Sequence, residues 1–191
     1  MTMDTLRLFF ALATPETVRA QIVPLMHALQ DSGADVKWEP APKLHCTVKF
    51  LGDTGSDLLE PLKEKASHVT SSCPVLTVRY RGLGCFPSPR DPRIVWAGME
   101  ETSGSLANMY RSLEAALEEL GFEPERRAFH PHITLGRVRG RRNLTDLIRL
   151  LESLTLDCEP ALLTEMLLMR SQLHPSGSVY TALQAFPFRN R

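Results

Sequence analysis

Two short segments hold the residues most suited to chemistry: His45-Cys46-Thr47-Val48 and His132-Ile133-Thr134-Leu135. Each is His-x-Thr followed by an apolar residue. Imidazole has an ordinary pKa of about 6.5, so it serves as acid or base near neutral pH. Two imidazoles at one site can divide the work, one taking a proton from a nucleophile and the other giving one to a leaving group. Thr47 and Thr134, two residues on, bring hydroxyls that can donate to an anionic oxygen. Arg137 adds a fixed positive charge whose fork suits phosphate.

The elements that must carry these residues read as strands. Side chains alternate faces along a strand. His45 and Thr47 therefore share one face, with Cys46, Val48 and Phe50 on the other. His132 and Thr134 likewise share a face opposite Ile133 and Leu135. The same rule turns Lys49 to the active face and Phe50 to the core. It also sets Arg137 opposite His132 unless Gly136 allows a bulge or strand end.

A lone His-x-Thr in a strand is usually structural; two copies on equivalent strands favour a functional reading. A zinc site from His45, Cys46, His130 and His132 fails because Cys46 points away from His45. Cys46 as a nucleophile fails because it is buried and lacks an activating neighbour. His130 shares the parity of His132 and is expected to flank the site or touch substrate. His27, His68 and His174 read as surface residues.

The remaining pattern is α+β. Leu6 to Ala13 is a buried first strand. Thr14 and Pro15 then start a helix, as N-cap and first helical residue. Val18, Ile22, Leu25, Met26 and Leu29 form its apolar stripe, and Gly33 ends it. Further helices are expected from about Asp57 to Ser71, through Leu106 to Leu120, and around Leu144 to Leu151. Strands are expected at 36–39, 75–80, 93–99, 162–170 and 178–186. Residues 82–93 should be a Gly- and Pro-rich connection, and Pro175 to Gly177 a turn. This order of short strands and intervening helices favours α+β over a doubly wound sheet. Each half of the chain holds one His-x-Thr strand, a hint of internal duplication.

Bulk properties narrow the function classes only mildly. The chain of 191 residues has 43% hydrophobic and 23% charged residues, which suits a soluble globular protein with a real core. Net charge is zero, so bulk charge selects no partner. The exception is local: Arg126, Arg127, Arg137, Arg139, Arg141 and Arg142 occur with no acidic residue between them. Arg139, Arg141 and Arg142 are expected to extend a binding surface for a longer anionic chain. No apolar run is long enough to span a bilayer, and no signal peptide is evident. The four cysteines form no C-x-x-C pair, which fits reduced thiols in a cytoplasmic protein.

The segments "LHCTVKFLG" and "FHPHITLGR" resemble the paired motifs of the two-histidine phosphoesterase superfamily. Within it they are most similar to the RNA 2′,3′-cyclic phosphodiesterase (2′–5′ RNA ligase-like) branch. "LRLFFALATP", "FPSPRDPRIVWAGM" and "VYTALQAFPF" extend the likeness over nearly the whole chain. The resemblance implies an α+β fold of two pseudo-symmetric lobes, each an antiparallel sheet with helices, around a central cleft. It implies that residues 1–191 are one two-lobed domain, monomeric, with no metal or other cofactor. His45 and His132 would be catalytic, and Thr47, Thr134 and Arg137 would bind substrate. RNA ending in a 2′,3′-cyclic phosphate, or a related nucleotide, would be hydrolysed to a 2′-phosphate, with no membrane partner. Phe9 and Phe50 are aromatics near the motif that could stack a base, although alternation buries Phe50. Two other readings are a phosphodiesterase for a small cyclic nucleotide or 2′–5′ oligonucleotide, and an RNA-end-binding protein without chemistry.

Overall fold

The computed structural model describes residues 4–175 and 177–190. In chain order its elements are β1 (Thr5–Ala13), α1 (Glu16–Gln30), β2 (Val36–Trp38), β3 (His45–Gly55), α2 (Leu59–Ser72), β4 (Leu76–Phe86) and β5 (Ile94–Glu100). Then come α3 (Ser105–Glu118), β6 (His132–Val138), α4 (Leu144–Ser153), β7 (Ala161–Leu163), β8 (Glu165–His174) and β9 (Gly177–Pro187). The fold is α+β, with a curled antiparallel sheet and four helices among the described residues. No described helix is long and apolar enough to cross a membrane.

The strands run β7-β4-β5-β6-β3-β1-β8-β9, and β2 pairs with β6. The order is symmetric about the seam between β6 and β3. From the seam outward, one lobe reads β3, β1, β8, β9 and the other β6, β5, β4, β7. In sequence, β1-α1-β3-α2 and β5-α3-β6-α4 are therefore equivalent strand–helix–motif strand–helix units. The helices exchange across this symmetry. α1 packs on α4, which lies against β4, while α3 packs on α2, which lies against β8 and β9. The duplication is thus present, but neither lobe is one contiguous half of the chain.

Helix faces explain the core. Val18, Ile22, Met26 and Leu29 of α1 are buried, as are Leu106, Met109, Leu113 and Leu117 of α3, each a stripe at helical spacing. They meet the inward sides of the strands: Leu8, Phe10 and Leu12 of β1, Cys46 and Val48 of β3, and Ile133 and Leu135 of β6. All four cysteines are free and buried.

Several boundaries differ from expectation. Pro15, not Thr14, caps α1; the Pro15 carbonyl accepts from the Val18 and Arg19 amides, and the buried Thr14 hydroxyl finds no partner among the described residues. β4 continues through Gly82-Leu83-Gly84 to Phe86 instead of opening into a loop. Its pairing with β5 shifts register between Tyr80 and Leu83, around Gly82 at φ +76°. The bulge absorbs the glycine and keeps the ladder going. The segment expected as one strand at 162–170 divides at Thr164, whose carbonyl accepts from the Phe188 amide. β7 then pairs with β4, whereas β8 pairs with β1 and β9. Ser176, within the expected turn, lies outside the described residues. His27, His68 and His174 are exposed, as expected.

Candidate active site

The two motif strands meet at one residue pair, Cys46 opposite Ile133, in antiparallel register. Both side chains point into the core, 1% and 0% exposed. Their chain neighbours therefore point to the other face, toward the cleft between the lobes. Continuing the register one residue each way sets His45 across from Thr134 and Thr47 across from His132. The four residues form a two-by-two grid with the histidines on one diagonal, about 7–8 Å apart at the backbone.

Each histidine is held the same way. Nδ1 of His45 donates to the Lys43 carbonyl at 2.7 Å, and Nδ1 of His132 donates to the His130 carbonyl at 2.6 Å. The acceptor lies two residues upstream in both cases. A carbonyl can only accept, so each bond fixes the proton on Nδ1 and leaves Nε2 as the working nitrogen. Nε2 of His45 accepts from the Thr47 hydroxyl at 3.1 Å. The rings are also packed. His45 lies 5.1 Å from Phe9 and 5.4 Å, edge-on, from Tyr180. His132 lies 5.1 Å, edge-on, from Phe86, which in turn contacts Trp96 at 5.2 Å.

Burial pushes both imidazoles below their ordinary pKa, which disfavours their charged forms. For His45, the Lys43 carbonyl and the Glu39 carboxylate pull the other way, and Arg137 adds repulsion. For His132, the His130 carbonyl offsets burial, while the His130 ring and Arg137 add repulsion. Arg137 therefore lies within electrostatic reach of both histidines.

Arg137 gets there through a bulge. β5 pairs Trp96 with Thr134, but Val95 with Gly136 and Ile94 with Arg137. Leu135 is the extra residue. Ile94 and Trp96 share a face of β5, so their partners Arg137 and Thr134 share one too. Arg137 is exposed on the cleft side, as the bulge at Gly136 allows.

An equivalent bulge in β3 overturns two expectations. β1 pairs Ala11 with Thr47 but Phe10 with Lys49 and Phe9 with Phe50, leaving Val48 extra. Lys49 therefore turns inward and Phe50 outward, the reverse of strict alternation. Lys49 is 9% exposed, with Nζ 2.9 Å from Glu114, whereas Phe50 is 50% exposed. Phe50 and Arg137 occupy the same place in the two repeats, five residues after each histidine. Phe9 is 3% exposed and covered by His45 and Tyr180, so it buttresses the histidine and has no free face for a base.

His130 is exposed and precedes the strand; its carbonyl, not its ring, touches His132. The Cys46 thiol is pushed up to about 12 by burial, which keeps it protonated and unreactive. No group of three or more His, Cys, Asp or Glu that could hold a metal ion occurs among the described residues. The residues missed from sequence are Glu39, Tyr180, Phe86 and Trp96. Trp96 alternates with the buried Val95 and Ala97, a parity signal that could have marked it. Tyr180 arrives from β9 by the curl of the sheet, which no local pattern reveals.

The family model described as LigT like Phosphoesterase matches residues 12–96 and 98–180, each segment carrying one of the motifs. The chain belongs to this family. It is thereby a phosphoesterase of the two-histidine superfamily. The RNA 2′,3′-cyclic phosphodiesterase of Methanothermobacter thermautotrophicus is 33% identical over 181 residues, 94% of this chain and 97% of that protein. The protein of the same name from Archaeoglobus fulgidus is 32% identical over 184 residues, covering 95% and 99%. Among solved structures, one from Thermus thermophilus superposes with a TM-score of 0.80 at 29% identity, over 96% of this chain and 98% of that one. Escherichia coli LigT complexed with 3′-AMP superposes with a TM-score of 0.76 at 25% identity, over 97% and 99%.

Proposed function

We propose that this phosphoesterase hydrolyses RNA ending in a 2′,3′-cyclic phosphate to a 2′-phosphate terminus, without a metal, as a cytoplasmic monomer whose residues 1–191 work as one two-lobed unit. The observation that carries the reading is the matched tethering of His45 and His132, each with Nδ1 on a carbonyl two residues upstream and Nε2 left as the working nitrogen. Two working nitrogens on one diagonal suit an in-line displacement at phosphorus, with one behind the attacking water and the other beside the departing 3′ oxygen. The names of the archaeal relatives and the 3′-AMP bound by Escherichia coli LigT support a nucleotide substrate.

His132 is assigned as base and His45 as acid. Arg137 repels a charge on either ring, so the difference lies in the other neighbours: Glu39 favours the charged form of His45, whereas the His130 ring disfavours that of His132. When Nε2 of His45 carries a proton it no longer accepts from Thr47, and that hydroxyl is released to donate to a phosphoryl oxygen. Thr134 and Arg137 complete the donors to the oxygens on which charge grows. The test is to incubate the protein, with excess chelator, with an oligoribonucleotide bearing a 2′,3′-cyclic phosphate and to identify the product end. A 2′-phosphate is expected. A 3′-phosphate, or activity only after a divalent metal is restored, contradicts the reading.

A further inference from the structure

Beyond the histidine grid, β3 and the loop between α3 and β6 enclose a groove of about 560 Å³. Phe50, Leu51, Phe122, Pro124, Arg126 and Arg127 line it. Phe50 is the next residue after Thr47 to face the cleft, three residues and about 10 Å along the strand. The loop runs back from His132 beside it, as the antiparallel register requires. The groove therefore lies farther along the same strand than the proposed catalytic face, at the end away from Arg137.

Its walls are braced from the interior. The Lys49 ammonium donates to Glu114 at 2.9 Å and to the Glu123 carbonyl at 2.8 Å. Glu114 also accepts from the Glu125 amide at 2.8 Å. One turn earlier on α3, Tyr110 stacks on Phe129, with centroids 4.2 Å apart and planes 6° from parallel. The loop is thus pinned at both ends of the segment that presents Arg126 and Arg127. Neither arginine has an ion-pair partner among the described residues. Across the groove Phe50 offers a half-exposed ring, with the Arg7 guanidinium 4.7 Å from its centroid. The opposing charges are Glu123 and Glu125 in the loop and Asp53, which pairs with Arg7 at 3.6 Å.

We infer that this groove binds the single-stranded RNA immediately 5′ of the cyclic end, stacking a base on Phe50 and holding backbone phosphates with Arg126 and Arg127. An exposed aromatic ring beside unpaired arginines is the combination that takes single strands without reading sequence. The inward turn of Lys49 creates the site twice over, since the same bulge flips Phe50 outward and anchors the loop. The arginine run is consequently split: Arg126 and Arg127 flank this groove, whereas Arg139, Arg141 and Arg142 lie past the far end of β6. This inference rests on the cyclic-phosphodiester reading for its substrate, and its test separates the two.

Hydrolysis of a pentaribonucleotide with a 2′,3′-cyclic end is compared with that of adenosine 2′,3′-cyclic phosphate, which is too short to enter the groove. In parallel, fluorescence anisotropy follows binding of a labelled pentamer ending in a plain 3′-hydroxyl. Phe50→Ala should lower the pentamer-to-mononucleotide ratio of kcat/KM at least about fivefold, the low end of one lost stack. Phe50→Tyr should restore it. Arg126→Ala and Arg127→Ala should each reduce the salt slope of pentamer binding by about 0.7. A ratio unchanged in Phe50→Ala overturns the inference, as does a length dependence carried by Arg139→Ala or Arg141→Ala instead. If neither substrate is hydrolysed, the cyclic-phosphodiester reading fails. The anisotropy then decides the groove alone: weaker binding by Phe50→Ala upholds it and unchanged binding removes it.

Discussion

Replacing either tethered histidine by alanine separates catalysis from stability. Acid–base catalysis by one group is worth about 10² to 10⁴ in rate, or roughly 3–5 kcal/mol. Turnover by His45→Ala or His132→Ala should therefore fall at least about a hundredfold. The structural cost differs between them. His45 loses two hydrogen bonds, about 0.5–1.5 kcal/mol each, and two ring contacts on the order of 0.5–1.5 kcal/mol each. His132 loses one hydrogen bond and a single ring contact. In urea titrations His45→Ala should be the less stable variant, yet both should remain folded. Single-turnover assays on protein shown folded by circular dichroism supply the rates. If both imidazoles serve one transition state, the double variant loses less than the product of the single losses. His130→Ala should keep most activity, because its backbone carbonyl survives the substitution. A folded His132→Ala with near-native turnover, or fully multiplicative losses in the double variant, would refute the shared role.

Arg137→Ala should lower kcat/KM by about 10²-fold, the loss expected of one oxyanion donor, and Arg137→Lys should recover only part, since lysine lacks the fork. Stability should depend on pH in a defined direction: both histidines have lowered folded pKa values, so below about 6.5 the unfolded chain binds more protons. Their contribution is complete above 6.5 and fades as pH falls through the folded values, and the His45→Ala/His132→Ala variant should show a flatter loss between pH 7 and 5. Lys49→Met alone should cost about 3–5 kcal/mol by stranding the Glu114 carboxylate, whereas Lys49→Met with Glu114→Leu should recover much of it. Equal stability of the single and double variants would show that the pair is not coupled.

Much of the site is legible in the chain's local pattern. His45, Thr47, His132 and Thr134 stand out because period-two alternation is local: over three residues nothing intervenes to break it, and Cys46 and Ile133 are apolar enough to name the buried side. The helical stripes of α1 and α3 are equally plain, since both faces are written in consecutive turns. Lys49 and Phe50 mark where that logic stops. A single extra residue, Val48, reverses the faces of Lys49 and Phe50, and Leu135 does the same for Arg137. Whether a bulge forms is settled by the partner strands, β1 and β5, whose ladders must be matched across many residues at once.

The sequence by itself determined the two motifs, the apolar faces and the α+β order. Only the tertiary structure decided that Cys46 meets Ile133, which places each histidine across from the other motif's threonine. It alone brought Tyr180 from β9 and Phe86 from β4 against the rings, and turned two carbonyls toward the Nδ1 atoms. The physical reason is range. Alternation and helical periodicity act between neighbours in sequence, whereas the seam, the bulges and the curl of the sheet follow from packing elements distant in the chain around one core.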